Sequence, residues 1–173
     1  GDLGAEVIKV ERPGSGDDTR GFAPPFQKDD KGEDTSESAY YTGANRNKRS
    51  ITINIGTSEG QALTKKLMAD CDILVENFKA GTLDRYGLGY EQMKAEFPRL
   101  IYCSITGFGQ TGPYAPRPGY DGLIQAMGGV MSLTGVPDGE PMKVAVPICD
   151  LMAGMYASVG ILAAVRHQAE TGE

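Results

Sequence analysis

Apolar and polar residues alternate along several short stretches of this chain, and most of these stretches are followed by a segment with helical spacing. The clearest alternation is Ser50–Ile55, and Ala5–Glu11 shows a second one. A period of two predicts β-strands, because successive side chains of a strand point to opposite faces. Two short apolar runs, Cys71–Glu76 and Leu100–Ile105, predict further, more deeply buried strands.

Helical spacing predicts the elements that separate these strands. Ser58 is a favoured helix N-cap, and the helix after it would run to about Met68 with apolar residues on one face. Further helices are predicted at Tyr90–Glu96, at Tyr120–Met131 and from Asp150 to about Ala169. Strands that alternate with helices of these lengths predict an α/β fold with a doubly wound, mostly parallel sheet.

Two segments are too rich in turn residues for this pattern. Arg12–Ser38 is predicted to be a long irregular loop, with Lys28–Ser38 as its most exposed and least ordered part. Gly107–Gly119 contains the spacing G-x-G-x-x-G after a predicted strand, which is typical of dinucleotide-binding sites. Three of the seven residues from Pro113 to Gly119 are prolines, so the helix that such a site requires cannot form. We expect this glycine loop to shape the wall of another kind of pocket.

Composition and charge exclude several classes of function. The chain has 173 residues, of which 40% are hydrophobic and 23% charged, with a net charge of −6 and a pI near 4.9. An acidic chain of this kind is not expected to bind nucleic acid. Three scattered cysteines fit neither a disulfide framework nor a zinc site, and His167 is the only histidine. We therefore expect no metal site and no catalytic serine–histidine pair.

The apolar run Val144–Val165 raises the question of a membrane span. Pro147 and Asp150 interrupt this run, and no basic flank precedes it, so the pattern favours a buried core helix and no membrane. The chain begins without methionine and ends directly after this helix. We expect an incomplete large domain, numbered 1–173, of a longer protein.

Three places combine polar residues with a setting suited to chemistry. Asp150 is a lone acid among apolar neighbours, where a helix N-cap and a reactive carboxylate are equally good interpretations. Tyr120 and Asp121 follow the turn-rich segment, and capping of the next helix is the default role of Asp121. Asn77 and Phe78 follow a buried strand, at the strand edge where α/β sheets bind ligands. The basic run 45–49 is either a phosphate contact or a solvated surface.

Several of these motifs, in this order, resemble the family III coenzyme A (CoA) transferases, the group that includes formyl-CoA and carnitine CoA-transferases. The segments that carry the resemblance are Gly1–Asp17, Asn45–Ile51, Val75–Phe78, Leu100–Pro113 and Pro118–Asp121. Gly16–Arg20 and Ser38–Tyr41 are most similar to the dicarboxylate branch, which uses succinyl-CoA and glutarate. Members of that branch are often mitochondrial and other members cytoplasmic, so both compartments remain open.

The resemblance implies a role for each matching residue. The nucleophile of the family lies in a Pro-x-x-Asp-Leu context, which places it at Asp150 here. The residues implied to contact CoA or to line the acyl site are Arg12, Ile53, Asn54, Ile55, Gly56, Asn77, Phe78, Arg85, Pro118, Gly119, Tyr120 and Asp121. CoA and acyl-CoA are implied as substrates and not as a tightly bound cofactor.

The implied reaction moves CoA from an acyl-CoA to a carboxylic acid, with a dicarboxylic acid expected, through an aspartyl anhydride and an aspartyl-CoA thioester. Related acyl-CoA racemases carry a histidine thirty residues before the aspartate, where this chain has Tyr120. A tyrosine is a poor base for an α-proton, so transfer is favoured over racemisation. A non-catalytic acyl-CoA-binding fragment is the remaining alternative. The resemblance also implies an interlocked homodimer of the full-length protein, and a small second domain that lies outside this chain.

Overall fold

The computed structural model describes residues 1–172, and these residues form an α/β fold, as predicted. The strands are β1 (Val7–Glu11), β2 (Phe26–Lys28), β3 (Asp34–Ser38), β4 (Lys48–Thr52), β5 (Ile73–Glu76) and β6 (Ile101–Ser104). The α-helices are α1 (Ala39–Asn45), α2 (Ser58–Met68), α3 (Thr82–Arg85), α4 (Tyr90–Glu96), α5 (Asp121–Met127) and α6 (Ile148–Thr171). The chain divides into two compact units, Gly1–Lys65 and the part from Lys66 onward.

The first unit is built on a parallel pair of strands. β1 and β4 run in register from Val7 opposite Lys48 to Glu11 opposite Thr52. β4 therefore begins two residues before the predicted strand and ends three residues earlier. The last bond between the two strands is from Ile53 N–H to the Glu11 carbonyl at 3.0 Å, and the strand ends because Asn54 then accepts a turn hydrogen bond from Thr57 N.

The prediction that 12–38 is an irregular loop is wrong, because 12 of its 27 residues lie in a 3₁₀ turn and two strands. A 3₁₀ turn forms at Asp18–Gly21, and β2 pairs with β3 in an antiparallel hairpin. Ser38 is fully buried, and its hydroxyl donates to the Thr19 carbonyl at 2.6 Å and accepts from Tyr41 N at 2.9 Å. The second bond caps α1. Polar side chains order this segment, so the apolar pattern gave no sign of it.

A buried carboxylate organises the polar centre of the first unit. Glu11 is only 4% exposed, and Arg20 donates to both of its oxygens, at 2.9 and 3.1 Å. The hydroxyls of Ser50 and Tyr41 also donate to Glu11, each at 2.8 Å, as does the backbone N–H of Asp17 at 2.9 Å. These donors, with Arg20 first, lower the pKa of Glu11 to about 2. The carboxylate is therefore charged and fully hydrogen-bonded.

The helix α2 begins one residue after its true cap. Thr57, and not the predicted Ser58, accepts the Gly60 N–H on its hydroxyl at 3.1 Å. The buried positions of α2 are Gly60, Thr64 and Met68, four residues apart, whereas Leu63 is 48% exposed. The predicted extent of α2 to Met68 is confirmed, and Met68 of the predicted apolar face is buried, but Ala62 and Leu63 of that face are exposed.

The second unit is built on a βαβ unit. β5 and β6 are parallel, in register from Ile73 opposite Ile101 to Glu76 opposite Ser104, and α3 and α4 connect them. Leu88 and Met93 form the centre of its core at 1% exposure each. Both predicted strands and the predicted helix at Tyr90–Glu96 are confirmed.

The last two helices differ from their predictions in extent and in burial. The predicted helix 120–131 stops at Met127, because Gly128 and Gly129 follow it, and a 3₁₀ turn continues at Val130–Leu133. α6 was expected to be a buried core helix, but none of its residues is buried within the described chain. Among residues 1–172 it is the one helix long and apolar enough to cross a membrane, by length and composition only.

We expect Glu11→Gln to destabilise the protein by about 3 kcal/mol at pH 7, since the change removes a charge that five hydrogen bonds stabilise. The pKa of Glu11 is lowered in the fold, so its contribution is complete above the ordinary value of 4.5 and is lost as the pH falls towards about 2. Urea unfolding at pH 7 and pH 3 measures this. The difference between wild type and variant should shrink at pH 3. Glu33→Gln, at an exposed position of the hairpin turn, is the control and should change little at either pH.

Candidate active site

The carboxyl ends of β5 and β6 bring the first group of predicted residues together in the second unit. Asn77 follows β5, and its side-chain amide donates to the Ile105 carbonyl, directly after β6, at 2.6 Å. Phe78 donates its backbone N–H to the buried Glu76 carboxylate at 2.7 Å, while its ring remains 42% exposed. The loop after β5 is thereby held against the end of β6, with Phe78 available for contact.

Two glycines bring the turn-rich segment to the same strand edge. A β-carbon on Gly107 would lie 2.4 Å from the α-carbon of Gly119, and one on Gly119 would lie 2.4 Å from the α-carbon of Gly107. Only glycine permits two backbones to approach this closely. Gly107 follows β6, so this crossing places the predicted segment Pro118–Asp121 beside that strand end. The role of the glycine loop as the wall of a pocket stays a prediction.

Asp121 joins α5 to the start of α6. It is the first residue of α5, but its carboxylate does not cap that helix. Oδ1 instead accepts the backbone N–H of Cys149, in the first turn of α6, at 2.9 Å. The predicted capping of α5 by Asp121 is therefore wrong. The residue at the N-cap position of α6 is Pro147, whose side chain accepts no hydrogen bond, so the cap comes from another helix.

Gln125 completes this connection. Its side chain is fully buried, and its Nε2 donates to Asp121 Oδ2 at 2.6 Å. Its Oε1 accepts from Val144 N at 2.8 Å, and Nε2 also lies 3.5 Å from the Val146 carbonyl. The amide orientation follows from chemistry, because Asp121 can only accept from it and Val144 N can only donate to it.

Asp150 lies in the first turn of α6, directly after Cys149. It is the third residue of the helix and not its cap, so the N-cap interpretation of Asp150 is wrong. Burial raises the pKa of Asp150, and the nearby charge of Asp121 raises it further. Both effects destabilise the anion, which favours its use as a nucleophile. The side chain is nevertheless exposed within residues 1–172, so these residues do not form a water-poor setting around it.

Four more predicted residues of the second unit lie at its surface or at the crossing of Gly107 and Gly119. Arg85 ends α3 and is exposed, with Nη2 3.4 Å from the Thr82 hydroxyl. Tyr120 is 78% exposed, Pro118 is exposed, and Gly119 is half-buried. Tyr120 and Arg85 are therefore open to a ligand.

The first unit collects the other predicted CoA contacts at one sheet edge. Arg12 follows β1 and the segment 53–56 follows β4, and the carboxyl ends of parallel neighbours meet at the same edge. Ile53 is 5% exposed and closes the strand ladder, while Asn54 Oδ1 accepts the Gly56 N–H at 3.1 Å. The Arg12 side chain is exposed and lies 3.7 Å from Asp18. The basic run is paired in part, since Arg46 bonds to Asp2 and Arg49 to Glu6.

Sequence reasoning missed Gln125 and the Gly107–Gly119 crossing. The spacing of Asp121 and Gln125, four residues apart on a helix, was a signal for a side-chain pair. The crossing brings together two glycines twelve residues apart, and no local sequence pattern predicts such a contact. In the part of the chain that the structure describes, no group of three or more His, Cys, Asp or Glu side chains is placed to hold a metal ion.

Comparison with known proteins defines the class. The family model described as CoA-transferase family III matches residues 1–173, and the chain belongs to this family. A crystal structure of a CAIB/BAIF family protein from Brucella suis superposes with a TM-score of 0.92 at 54% identity, covering 99% of this chain and 44% of that one.

Two curated relatives are named for the acids they use. Succinate–glutarate CoA-transferase of Agrobacterium fabrum is 52% identical over 172 residues, 99% of this chain and 43% of the relative. Succinyl-CoA:glutarate CoA-transferase of Homo sapiens is 49% identical over 173 residues, 100% of this chain and 38% of the relative. The chain thus spans about two fifths of the length of these curated relatives.

We expect Gly107→Ala to destabilise the full-length protein by about 1–3 kcal/mol, because the added methyl group would enter the backbone of Gly119. Urea unfolding measures the change. Gly122→Ala in α5 is the matched control, since a β-carbon there meets nothing within 4 Å and alanine favours a helix. Equal stability of the two variants would contradict the close crossing.

Proposed function

We propose that the protein carrying this chain is a CoA transferase that moves CoA from an acyl-CoA donor to a carboxylic acid, with Asp150 as its nucleophile. Membership of the family supports the reaction class, and the names of the two relatives favour succinyl-CoA and glutarate. The observation that carries the assignment is the placement of Asp150. It lies in the first turn of α6 with a raised pKa, connected through Asp121 to the strand edge where the predicted ligand contacts gather.

The proposed reaction uses two anhydrides and one enzyme thioester. The Asp150 carboxylate attacks the thioester carbonyl of the donor, the C–S bond breaks, and CoA leaves as a thiolate. The thiolate attacks the aspartyl carbonyl of this anhydride, which releases the donor acid and leaves an aspartyl-CoA thioester. The acceptor carboxylate then attacks this thioester, the C–S bond breaks, and a second anhydride forms with release of CoA thiolate. The thiolate attacks the acceptor's carbonyl, the bond from that carbonyl to the Asp150 oxygen breaks, and the new acyl-CoA leaves with Asp150 restored. Thioester energy is conserved throughout, so no nucleotide is consumed.

The predicted ligand contacts divide between the two units. In the first, Arg12 and the turn 53–56 offer a cation and backbone groups beside each other, which suits the phosphates of CoA. In the second, Arg85 offers a further exposed cation, and Asn77 and Phe78 offer an amide and an aromatic ring. The family resemblance further suggests that the full-length protein is an interlocked homodimer.

We expect Asp150→Asn in the full-length protein to abolish the exchange of labelled succinate or glutarate into acyl-CoA, since an amide cannot form the anhydride. Hydroxylamine should trap an aspartyl derivative in the wild type and none in the variant. Asp138→Asn, in an exposed turn, makes the same chemical change away from the site and should retain activity. Retained exchange in Asp150→Asn would refute the assignment. Deuterium wash-in at the α-carbon without CoA transfer would instead indicate a racemase.

Substituting the exposed arginines should weaken acyl-CoA binding more than turnover. We expect Arg12→Gln and Arg85→Gln each to raise KM for acyl-CoA about 5- to 10-fold, corresponding to the loss of one charge-assisted contact of about 1–1.5 kcal/mol. Steady-state kinetics at two salt concentrations measures this. Arg166→Gln, on the exposed surface of α6, is the control. An unchanged KM would remove that arginine from the CoA site.

A further inference from the structure

Both carboxylate oxygens of Asp121 accept hydrogen bonds within the protein, one from α5 and the other from the first turn of α6. Oδ1 accepts from Cys149 N at 2.9 Å and Oδ2 accepts from Gln125 Nε2 at 2.6 Å. Cys149 is the residue immediately before Asp150. The bond to Cys149 therefore acts on the backbone that carries the proposed nucleophile.

Gln125 fixes the chain that leads into α6. Its buried amide holds Val144 N at 2.8 Å on the oxygen side, while its nitrogen side bonds to Asp121. Asp121 and Gln125 are one helical turn apart on α5, so a single helix face holds residues 144 and 149 together. The four residues between these two anchors include Pro147 and have little remaining freedom.

We propose that Asp121 and Gln125 are positioning residues, which set the place and direction of Asp150 for attack on the thioester. This inference rests on the proposed function and differs from the ligand-lining role that the family resemblance implies for Asp121. A nucleophile that is displaced by about 1 Å loses on the order of 100-fold in rate, so an anchor one residue away has kinetic consequences.

The hydrogen bond between Asp121 and Gln125 can be tested by exchanging the carboxylate and the amide between the two positions. In Asp121→Asn, Oδ1 must still accept from Cys149 N, so the new NH₂ group faces the NH₂ group of Gln125. In Gln125→Glu, two carboxylates face each other. In the double variant D121N/Q125E, the new glutamate accepts from the new asparagine and from Val144 N, and only the 3.5 Å contact with the Val146 carbonyl is lost.

We expect each single variant of the full-length enzyme to lose about 100-fold in kcat for CoA transfer, with KM for acyl-CoA unchanged, and the double variant to recover most of that loss. Asp121→Asn should also move the acidic limb of the kcat/KM profile to lower pH, since the charge of Asp121 raises the pKa of Asp150. Gln92→Glu, at an exposed position of α4, adds the same charge elsewhere and should have no effect.

A different pattern would overturn the inference. If Asp121 contacts substrate directly, Asp121→Asn should raise KM and the double variant should not recover. Recovery in the double variant shows that the single variants failed through the loss of these hydrogen bonds, and thermal melting shows separately that the single variants are folded. Failure of the proposed function has another signature, since Asp150→Asn would then retain transfer whatever the double variant does.

Discussion

Carboxylates buried at the ends of parallel strands are the interactions on which the loops of this protein depend. Glu11 ends β1 and Glu76 ends β5, and they are only 4% and 8% exposed. Each accepts a hydroxyl hydrogen bond from a serine of the neighbouring parallel strand and a backbone N–H from the loop that follows its own strand. The serines are Ser50 and Ser104, and the loop donors are Asp17 N and Phe78 N. A buried charge requires such partners, so satisfying it fixes each loop at the edge where ligand contacts are proposed.

Asp121 applies the same principle at a helix junction. A helix leaves its first N–H groups without partners, and Pro147 cannot supply the usual side-chain acceptor at the start of α6. The carboxylate of Asp121 satisfies Cys149 N from a neighbouring helix, and Gln125 holds Asp121 in turn. Each of the three carboxylates therefore accepts a backbone N–H, two of them from the loop after a strand and the third from the first turn of α6. At these three places a side-chain carboxylate fixes the segment that it contacts.

The difference between periodic apolar patterns and individual polar contacts explains which parts of the structure could be predicted from the sequence. Strand and helix patterns report burial along one element, so β5, β6 and α4 were predicted correctly. The hairpin at 26–38 pairs two short, polar strands with a shift in register, and the cap at Thr57 is one side-chain contact, so neither leaves a periodic apolar pattern. The position of Asp150 was assigned from its motif, but the acceptor of the Cys149 N–H lies on another helix, 28 residues away along the chain. α6 was predicted as buried from its apolar composition alone, and composition does not state what covers a helix.

The contact between Asp121 and Cys149 also bears on the reactivity of Asp150. The N-terminus of a helix stabilises a nearby anion, because its free N–H groups and the helix dipole are both positive there. One of those N–H groups is already taken by the Asp121 carboxylate, which adds a second negative charge close to Asp150. Burial raises the pKa of the Asp150 carboxyl, and the charge of Asp121 raises it further, so Asp150 receives less stabilisation than a helix N-terminus ordinarily gives. An anion that gives up less stabilisation on forming a covalent bond is the better nucleophile, so in the proposed reaction the carboxylate of Asp121 both positions Asp150 and activates it.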